Sequence, residues 1–467
     1  MEAASKNKKI CLVSLGCPKN LVDAEMMLGF LQKDGFSFST NPAESEVIVV
    51  NTCGFVEDSK KESIDQLLQM AEYKETGNCK VLVATGCLSQ RYSETLSHDL
   101  PEVDAFVGLG EFDRLSSILR EQFAHSEKRV YVNENFERDP LKKNLSDFTT
   151  HRQILPDPDL PRILATPRHY TYVKVSEGCS HRCSFCIIPH IRGDLKSRSI
   201  ASIAREVQSL SEQGVKEFNL IAQDLNEFGK DLRDGSNLTE LFTALEKVPG
   251  DFWVRPLYMY PLEFSDSLIQ IMRDSKHLVK YADMPLQHIN DRVMRSMKRG
   301  SPSRYVRQVL EKLKTAMPEI AIRTTFIVGY PGETDAEFQE LYDFVKDTEF
   351  NHVGVFQYSQ EEGTSAALLP DQLADEVKQE RFDRLMSLQQ KISLKKNQAL
   401  VGKTLEVLCE KPADDKPGHL QGRLSIQAPD IDGLTYLKIA HQIPASGDFV
   451  QAKIIEAQEY DLIAEIV

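Results

Sequence analysis

The sequence predicts an α/β protein that ends in a small β domain, and three observations support this fold class. In the first third, buried-strand patterns alternate with helical patterns, which is typical of a parallel, doubly wound sheet. Six further strand–helix repeats follow in the middle, too few for a closed eight-stranded barrel. The tail carries only short strands between Gly, Pro and Asp turns, which indicates a small β barrel.

Composition and charge narrow the class of protein. The 467 residues are 41% hydrophobic and 27% charged, as in ordinary globular proteins, and the net charge of −14 disfavours tight, non-specific binding to nucleic acid. Nine cysteines, an odd number in a long chain, favour thiols and metal ligands over a disulfide framework. No apolar run approaches a membrane span and the first residues lack a signal-peptide core, so we expect a cytoplasmic protein with no membrane partner.

The strands of the first third are predicted to bring three cysteines together. Each strand ends beside a cysteine with a neighbouring glycine, at Gly16-Cys17, Cys53-Gly54 and Gly86-Cys87. Carboxyl ends of parallel strands share one edge of the sheet, so these three thiols (the N-terminal triad) should converge there. The glycines permit close backbone approach, and the helix that follows each cysteine favours its thiolate. The alternative is three structural core cysteines, which is our reading of Cys11, Cys79 and Cys409.

Domain boundaries follow from where the periodicity changes. The expected domains are residues 1–132, a proline-punctuated linker over 133–168, a middle domain over 169–396 and a tail domain over 397–467. Candidate strands of the middle domain lie at 170–175, 217–221, 253–258, 279–284, 320–328 and 352–358. A long charged helix over about 377–400 should lead into the tail.

A second group of cysteines follows the first strand of the middle domain. Cys179, Cys183 and Cys186 (the loop triad) are spaced C-x3-C-x2-C, and three thiolates on one loop can hold three corners of a four-iron cluster. The alternative is zinc, but structural zinc usually takes four ligands in two spaced pairs. The spacing, with Phe185 as its aromatic residue, resembles the radical S-adenosylmethionine (SAM) signature. That resemblance implies an open, partial (β/α)6 barrel, SAM bound at the fourth iron and an external electron donor.

Polar residues after the strands are candidate SAM contacts. Gln223 is the contact that we single out, and Asp224, Gln287, His288 and the turn 329–333 are weaker candidates. Each of these is otherwise an ordinary cap or turn residue. No side chain is predicted to act as a catalytic acid or base.

The three-part order resembles the methylthiotransferases over nearly the whole chain, and the tail resembles their TRAM domain. Stretches that resemble the branch acting on an aspartate of ribosomal protein S-twelve are 14–23, 51–55, 86–92, 188–198, 285–291, 422–423 and 428–433. Gln427 departs from the family pattern, which usually has Asp there. The resemblance implies two four-iron clusters, one per triad, with SAM as radical source and methyl donor. It also implies methylthio transfer to the aspartate β-carbon, a C–H bond that no side-chain base could deprotonate.

Two other functions stay open from the sequence. The substrate could be a tRNA adenosine, as in the other branch of the family, or the chain could be a non-catalytic electron carrier with two clusters. The charge of the tail favours a basic protein partner, because the residues from 397 onward include eleven acidic and six basic side chains. We expect Asp430 and Asp432 to lie on the partner-binding surface of the tail.

Replacing the loop triad with alanine should remove roughly half of the bound iron and abolish SAM cleavage, because these thiolates are the only protein ligands assigned to that cluster. Iron analysis after anaerobic reconstitution, together with a chromatographic assay for 5′-deoxyadenosine, measures both effects. Full retention of iron would disprove the ligand assignment.

Overall fold

The chain forms two compact units. The computed structural model describes residues 8–125, 127–132, 152–439 and 443–467. The first unit comprises Met1–Ala165, Lys174–Arg198 and Ser359–Ala367, and the second comprises Thr166–Val173, Ser199–Tyr358 and Leu368–Val467. Much of the predicted linker, residues 133–151, lies outside the described residues.

The strands are numbered in chain order. They are β1 (Lys9–Ser14), β2 (Ser37–Phe38), β3 (Val47–Thr52), β4 (Val81–Gly86), β5 (Ala105–Val107), β6 (Arg129–Tyr131), β7 (Tyr170–Lys174), β8 (Ser176–Glu177), β9 (Lys196–Ser197), β10 (Glu217–Ile221), β11 (Trp253–Pro256), β12 (Tyr281–Asp283), β13 (Ala321–Val328), β14 (His352–Gln357), β15 (Thr404–Pro412), β16 (His419–Leu424), β17 (Thr435–Lys438), β18 (Phe449–Ala457) and β19 (Leu462–Ile466).

The helices follow the same numbering. They are α1 (Pro18–Lys33), α2 (Glu57–Ala71), α3 (Tyr73–Thr76), α4 (Cys87–Asp99), α5 (Leu115–Ala124), α6 (Ile188–Arg192), α7 (Ile200–Glu212), α8 (Leu238–Leu245), α9 (Asp266–Asp274), α10 (Asp291–Ser296), α11 (Ser303–Ala316), α12 (Asp335–Thr348) and α13 (Asp375–Gln398). Across the described part of the chain, no helix combines the length and apolar character needed to cross a membrane.

The first unit is built on a six-stranded parallel sheet in the order β2-β1-β3-β4-β5-β6. Every residue of β3 and β4 is buried, because helices cover both faces. Val47 and Val49 pack on the same side as Met27, whereas Ile48 and Val50 pack on the opposite side with the second layer of helices. The predicted doubly wound sheet is therefore confirmed. The short strands β2, β5 and β6, of two or three residues each, were not predicted.

The second unit contains the six strands predicted for the middle domain. They form two three-stranded sheets, β7-β10-β11 and β12-β13-β14, with β10–β11, β12–β13 and β13–β14 paired in parallel. A parallel bridge between Val254 and Leu278 links the two sheets. The strands therefore follow chain order around an open, partial barrel, as expected.

The tail of the second unit is a closed five-stranded barrel in the order β15-β16-β17-β19-β18. Its core comes from alternating inward residues such as Val407, Leu420, Leu437 and Ile454, all of them buried. Strand β16 was not predicted from the sequence, because Gln421, Gly422 and Arg423 interrupt its apolar pattern. The predicted small β barrel is confirmed.

The tail barrel packs against the amino-terminal ends of the partial-barrel strands. The ring of Trp253, the first residue of β11, lies 4.9 Å from that of Phe449 between centroids. His352, the first residue of β14, places its Nε2 2.9 Å from the carbonyl oxygen of Ile426. The tail therefore covers the end of the partial barrel opposite the strand carboxyl ends.

A buried group of ions lies in this contact. Glu217, the first residue of β10, is fully buried and accepts hydrogen bonds from Arg255 Nε at 2.7 Å and from Arg423 Nη2. Arg423, with its side chain 1% exposed, also donates to Glu410 at 2.6 Å. Burial alone would raise the pKa of Glu217, but the two guanidinium groups lower it. The acid is therefore charged and paired on both sides.

Two acidic residues of the tail that were expected on the partner-binding surface make hydrogen bonds within this contact, and the prediction is wrong for the buried Asp432. The side chain of Asp432 is 1% exposed, and its carboxylate accepts a hydrogen bond from Tyr281 at 2.7 Å. The carboxylate of Asp430 accepts hydrogen bonds from Tyr170 at 3.2 Å and Tyr172 at 3.1 Å. Asp432 therefore serves packing within the second unit, whereas Asp430 is exposed and its place on a partner-binding surface stays a prediction.

Replacing Arg423 with methionine should destabilise the second unit by about 3–5 kcal/mol, because it leaves the Glu217 charge buried with one partner fewer. Lys438→Met is the control, since Lys438 pairs with Glu465 at an exposed position and its loss should cost under about 1 kcal/mol. Denaturant unfolding of both variants measures the difference. Equal denaturant midpoints for the two variants would show that the buried contact contributes no more to stability than the exposed ion pair.

Candidate functional site

The N-terminal triad lies at the carboxyl edge of the parallel sheet. Cys17 directly precedes α1, Cys53 directly follows β3, and Cys87 begins α4 directly after β4. The charge of each thiolate would act on the others, since Cys17 raises the pKa of Cys53, and Cys17 and Cys53 both raise that of Cys87. The structure thus brings the three predicted cysteines to one place.

Glycines next to these cysteines allow the three loops to touch. A Cβ atom on Gly16, whose φ is +85°, would lie 2.8 Å from the Cβ of Cys53 and 3.0 Å from its Sγ. A Cβ on Gly54 would lie 2.8 Å from the Cα of Leu88, and one on Gly86 would lie 2.4 Å from a backbone oxygen of β3. Atoms this close would clash, so larger residues would push the loops apart.

Burial is the largest influence on the thiol pKa of two members of the N-terminal triad. Burial raises the pKa of Cys53, and it raises that of Cys87 to about 12, although Arg192 opposes the shift. The expectation that the helix ends favour the thiolate at this site stays a prediction. A bound metal would have to displace the thiol protons.

Three further cysteines lie in hydrophobic cores, in agreement with a structural role. Cys11 and Cys79 belong to one core layer of the first unit, and Cys409 belongs to the core of the tail barrel. All three are at most 5% exposed.

The loop triad also belongs to the first unit, on the segment between β8 and β9. These two short strands pair antiparallel and close the base of the loop. The backbone N–H of Cys179 donates to Gly193 at 3.0 Å, and that of Cys186 donates to Cys183 at 3.1 Å. All three cysteines are partly exposed, in contrast to the buried Cys53 and Cys87. The loop is therefore shaped by its own backbone and leaves its thiols accessible.

Four charged side chains form a buried quartet beside the N-terminal triad. Lys174 contacts Asp23 and, at 2.7 Å, Glu177. Arg192, at the end of α6, lies 3.1 Å from Asp23 and 3.0 Å from Glu177. All four side chains are at most 6% exposed. Burial would raise the pKa of Glu177, but the two cations lower it to about 2.

Arg192 connects this quartet to the N-terminal triad. Its Nη2 lies 3.5 Å from the Sγ of Cys87 and 2.5 Å from the Oδ1 of Asn20. Asn20 in turn donates to the backbone oxygen of Thr52 at 2.9 Å, beside Cys53. One side chain from the segment that carries the loop triad therefore reaches a cysteine of the N-terminal triad.

A strap, residues 359–367, makes a second connection within the first unit. Its Glu361 is paired with Arg91 at 2.9 Å and Lys60 at 3.2 Å, and Arg91 also donates to the backbone oxygen of Gly54 at 3.0 Å. The N–H of Ala366 donates to the backbone oxygen of Ser184 in the loop triad segment at 2.8 Å. The strap therefore contacts the surroundings of both triads.

The candidate SAM contacts stay predictions. Phe185 is half-buried in the first unit, and Gln223 lies two residues beyond β10 in the second. His288 and Glu333 are both fully buried and lie 3.3 Å apart. Glu333 also accepts hydrogen bonds from the backbone N–H groups of Gly329 and Tyr330, so it organises the turn.

Sequence reasoning missed the quartet and the strap. Asp23 and Arg192 are 169 positions apart, and charged residues in a sequence give no sign of their partners. The sequence contained only an indirect sign that these two residues matter, because both fall in stretches that resemble the family. Glu361 had no such signal.

Comparison with known families assigns the three parts of the chain. The model of an uncharacterized protein family, UPF0004, matches residues 9–108. The radical SAM superfamily model matches residues 173–345, and the TRAM domain model matches residues 401–467.

Solved structures agree with this fold. The radical S-adenosylmethionine methyltransferase TsrM from Kitasatospora setae aligns with a TM-score of 0.52 at 14% identity, over 89% of this chain and 81% of that chain. The cobalamin-dependent S-adenosylmethionine radical enzyme OxsB aligns with a TM-score of 0.52 at 12% identity, over 84% of this chain and 56% of that chain. At these identities the likeness shows the fold alone.

The partial barrel and the superfamily match together define the class of radical SAM proteins. Ribosomal protein uS12 methylthiotransferase RimO from Geotalea uraniireducens is 45% identical over 100% of both chains, and that from Pelobacter propionicus is 43% identical over 100% of this chain and 99% of its own. The chain belongs to the RimO family of radical SAM methylthiotransferases. The predicted family and fold class are confirmed, and the enzyme is a transferase.

Replacing Gly16 with alanine should cost the protein roughly half of its iron, because the new Cβ would push Cys53 out of the N-terminal triad. Gly214→Ala is the matched control, since Gly214 has a similar φ of +97° but no atom within 4 Å of the new Cβ. Iron analysis and Mössbauer spectroscopy of both variants measure the loss. Equal iron in the two variants would contradict the proposed role of the close approach.

Proposed function

We propose that this enzyme transfers a methylthio group to the β-carbon of an aspartate in ribosomal protein uS12. The observation that carries the proposal is identity of 41–45% along essentially the full chain to proteins named uS12 methylthiotransferase. Both cysteine triads lie in one compact unit, which supports a reaction that uses both.

Two four-iron clusters and SAM are the proposed cofactors. The proposed ligand sets are Cys179, Cys183 and Cys186 for one cluster and Cys17, Cys53 and Cys87 for the other. The donors fit, because each set offers three soft thiolate ligands and leaves one iron open. When bound, these groups supply the radical and sulfur chemistry that no side chain can perform on an unactivated C–H bond.

The chain's own residues hold and shield these groups. Cys53 and Cys87 are buried and Cys17 is partly exposed, so protein shields most of the N-terminal site, and all three cysteines of the loop triad are partly exposed. Phe185 and Gln223 remain the proposed SAM contacts. Arg192 supports Cys87 by donating toward its sulfur at 3.5 Å, and Asn20 holds Arg192 in place by accepting from its Nη2.

Ribosomal protein uS12 and an external electron donor are the proposed partners. Because the proposed substrate is a ribosomal protein, we expect the activity in the cytoplasm. The acidic surplus of the tail supports a basic protein partner less strongly than its total suggests, because Glu410, Asp430 and Asp432 are engaged within the second unit. The net charge of −14 still disfavours tight direct binding to nucleic acid.

The decisive experiment offers two substrates at once. After anaerobic reconstitution, the enzyme is given SAM, a reductant, a uS12 peptide and tRNA, and both substrates are analysed by mass spectrometry. We expect the methylthio group on the peptide aspartate alone. Modification of tRNA adenosine would assign the chain to the other branch instead.

Replacing the N-terminal triad with alanine should preserve 5′-deoxyadenosine formation and stop methylthio transfer, because the loop triad keeps its own ligands. Chromatography of the SAM products and mass spectrometry of the uS12 peptide separate the two activities. The loop-triad variant is the reciprocal control and should lose both. Loss of SAM cleavage in the N-terminal variant, with the other cluster intact, would contradict this division of roles.

A further inference from the structure

Arg192 is an unusual residue for a metal site, because its charge is buried and it contacts a cysteine that is far away in sequence. It lies six positions after Cys186, yet its Nη2 reaches the Sγ of Cys87 at 3.5 Å. The side chain is 2% exposed. Nothing in the chemistry of the loop triad requires this contact.

The quartet holds the guanidinium in a fixed position. Nη1 contacts both Glu177 oxygens at 3.0 Å, and Nη1 and Nη2 both lie 3.1 Å from one oxygen of Asp23. Asn20 accepts a further bond from Nη2 at 2.5 Å, and the same nitrogen lies 3.5 Å from the Sγ of Cys87. Lys174 balances the second carboxylate, so the quartet as a whole is neutral. A neutral setting lets a buried charge persist without a large free-energy cost.

We propose that Arg192 is a positioning residue that raises the reduction potential of the cluster held by the N-terminal triad and helps to retain it. This inference rests on the proposed function, because it requires a cluster at that site. Through Arg192, the segment that carries one cluster's ligands tunes the other cluster.

The physical basis is the charge near a ligand sulfur. Hydrogen bonds and positive charge at a cysteine sulfur stabilise the reduced cluster, which is the more negative form, and so raise the potential. The planar guanidinium can face Asp23, Glu177 and Cys87 together, whereas lysine at this position would offer only a point charge. The effect should therefore depend on both charge and shape.

The test uses the loop-triad alanine background, in which only the N-terminal cluster can form. Arg192→Met should shift the midpoint potential of that cluster to more negative values and speed iron loss to a chelator. Arg192→Lys should shift the midpoint potential less than Arg192→Met does, because lysine keeps the positive charge. A redox titration followed by electron paramagnetic resonance provides a readout that does not depend on activity.

Arg162→Met is the matched control, because Arg162 pairs with buried Glu25 of the same helix α1 at 2.6 Å. It should leave the potential unchanged. If Arg192→Met retains no cluster, the charge-balanced pair Arg192→Met with Asp23→Asn replaces it, and its potential should also fall. Potentials equal to that of the control in these variants would overturn the inference. Absence of any cluster in the parent background would instead overturn the ligand assignment of the proposed function.

Discussion

The buried quartet of Asp23, Lys174, Glu177 and Arg192 is the constraint on which the first unit depends. Two cations and two carboxylates can be buried together only if each has a partner, because a single buried charge costs several kcal/mol. Helix α1 supplies one carboxylate, and the segment around the loop triad supplies the other three groups. The quartet therefore joins helix α1, which follows Cys17, to the segment that carries the loop triad.

The sequence predicted the elements that follow a periodic pattern and missed the individual side-chain contacts between distant residues. Strands and helices recur with fixed periods, so the parallel sheet, the partial barrel and the convergence of Cys17, Cys53 and Cys87 followed from pattern and topology. The contact of Arg192 with Cys87 joins residues 105 positions apart and has no period. Strands β2, β5 and β6 were too short for any pattern to emerge.

Net charge was the least reliable guide to the tail. An acidic total suggested a surface for a basic partner, yet Asp432 lies against Tyr281 and Glu410 lies against Arg423. A sum over residues does not distinguish charges that face water from charges that face another part of the protein. Burial and hydrogen bonds make that distinction, and neither can be read from composition.

The position of the tail barrel limits how this protein can be divided into parts. Its removal would uncover Glu217 and Arg255, together with the ring of Trp253, and take away the contacts that Arg423, Ser425 and Phe449 of the tail make with them. A shortened chain would then lose stability along with any substrate contact the tail makes. The tail barrel closes one end of the partial barrel, so a truncated chain would report on folding as well as on any role that the tail has.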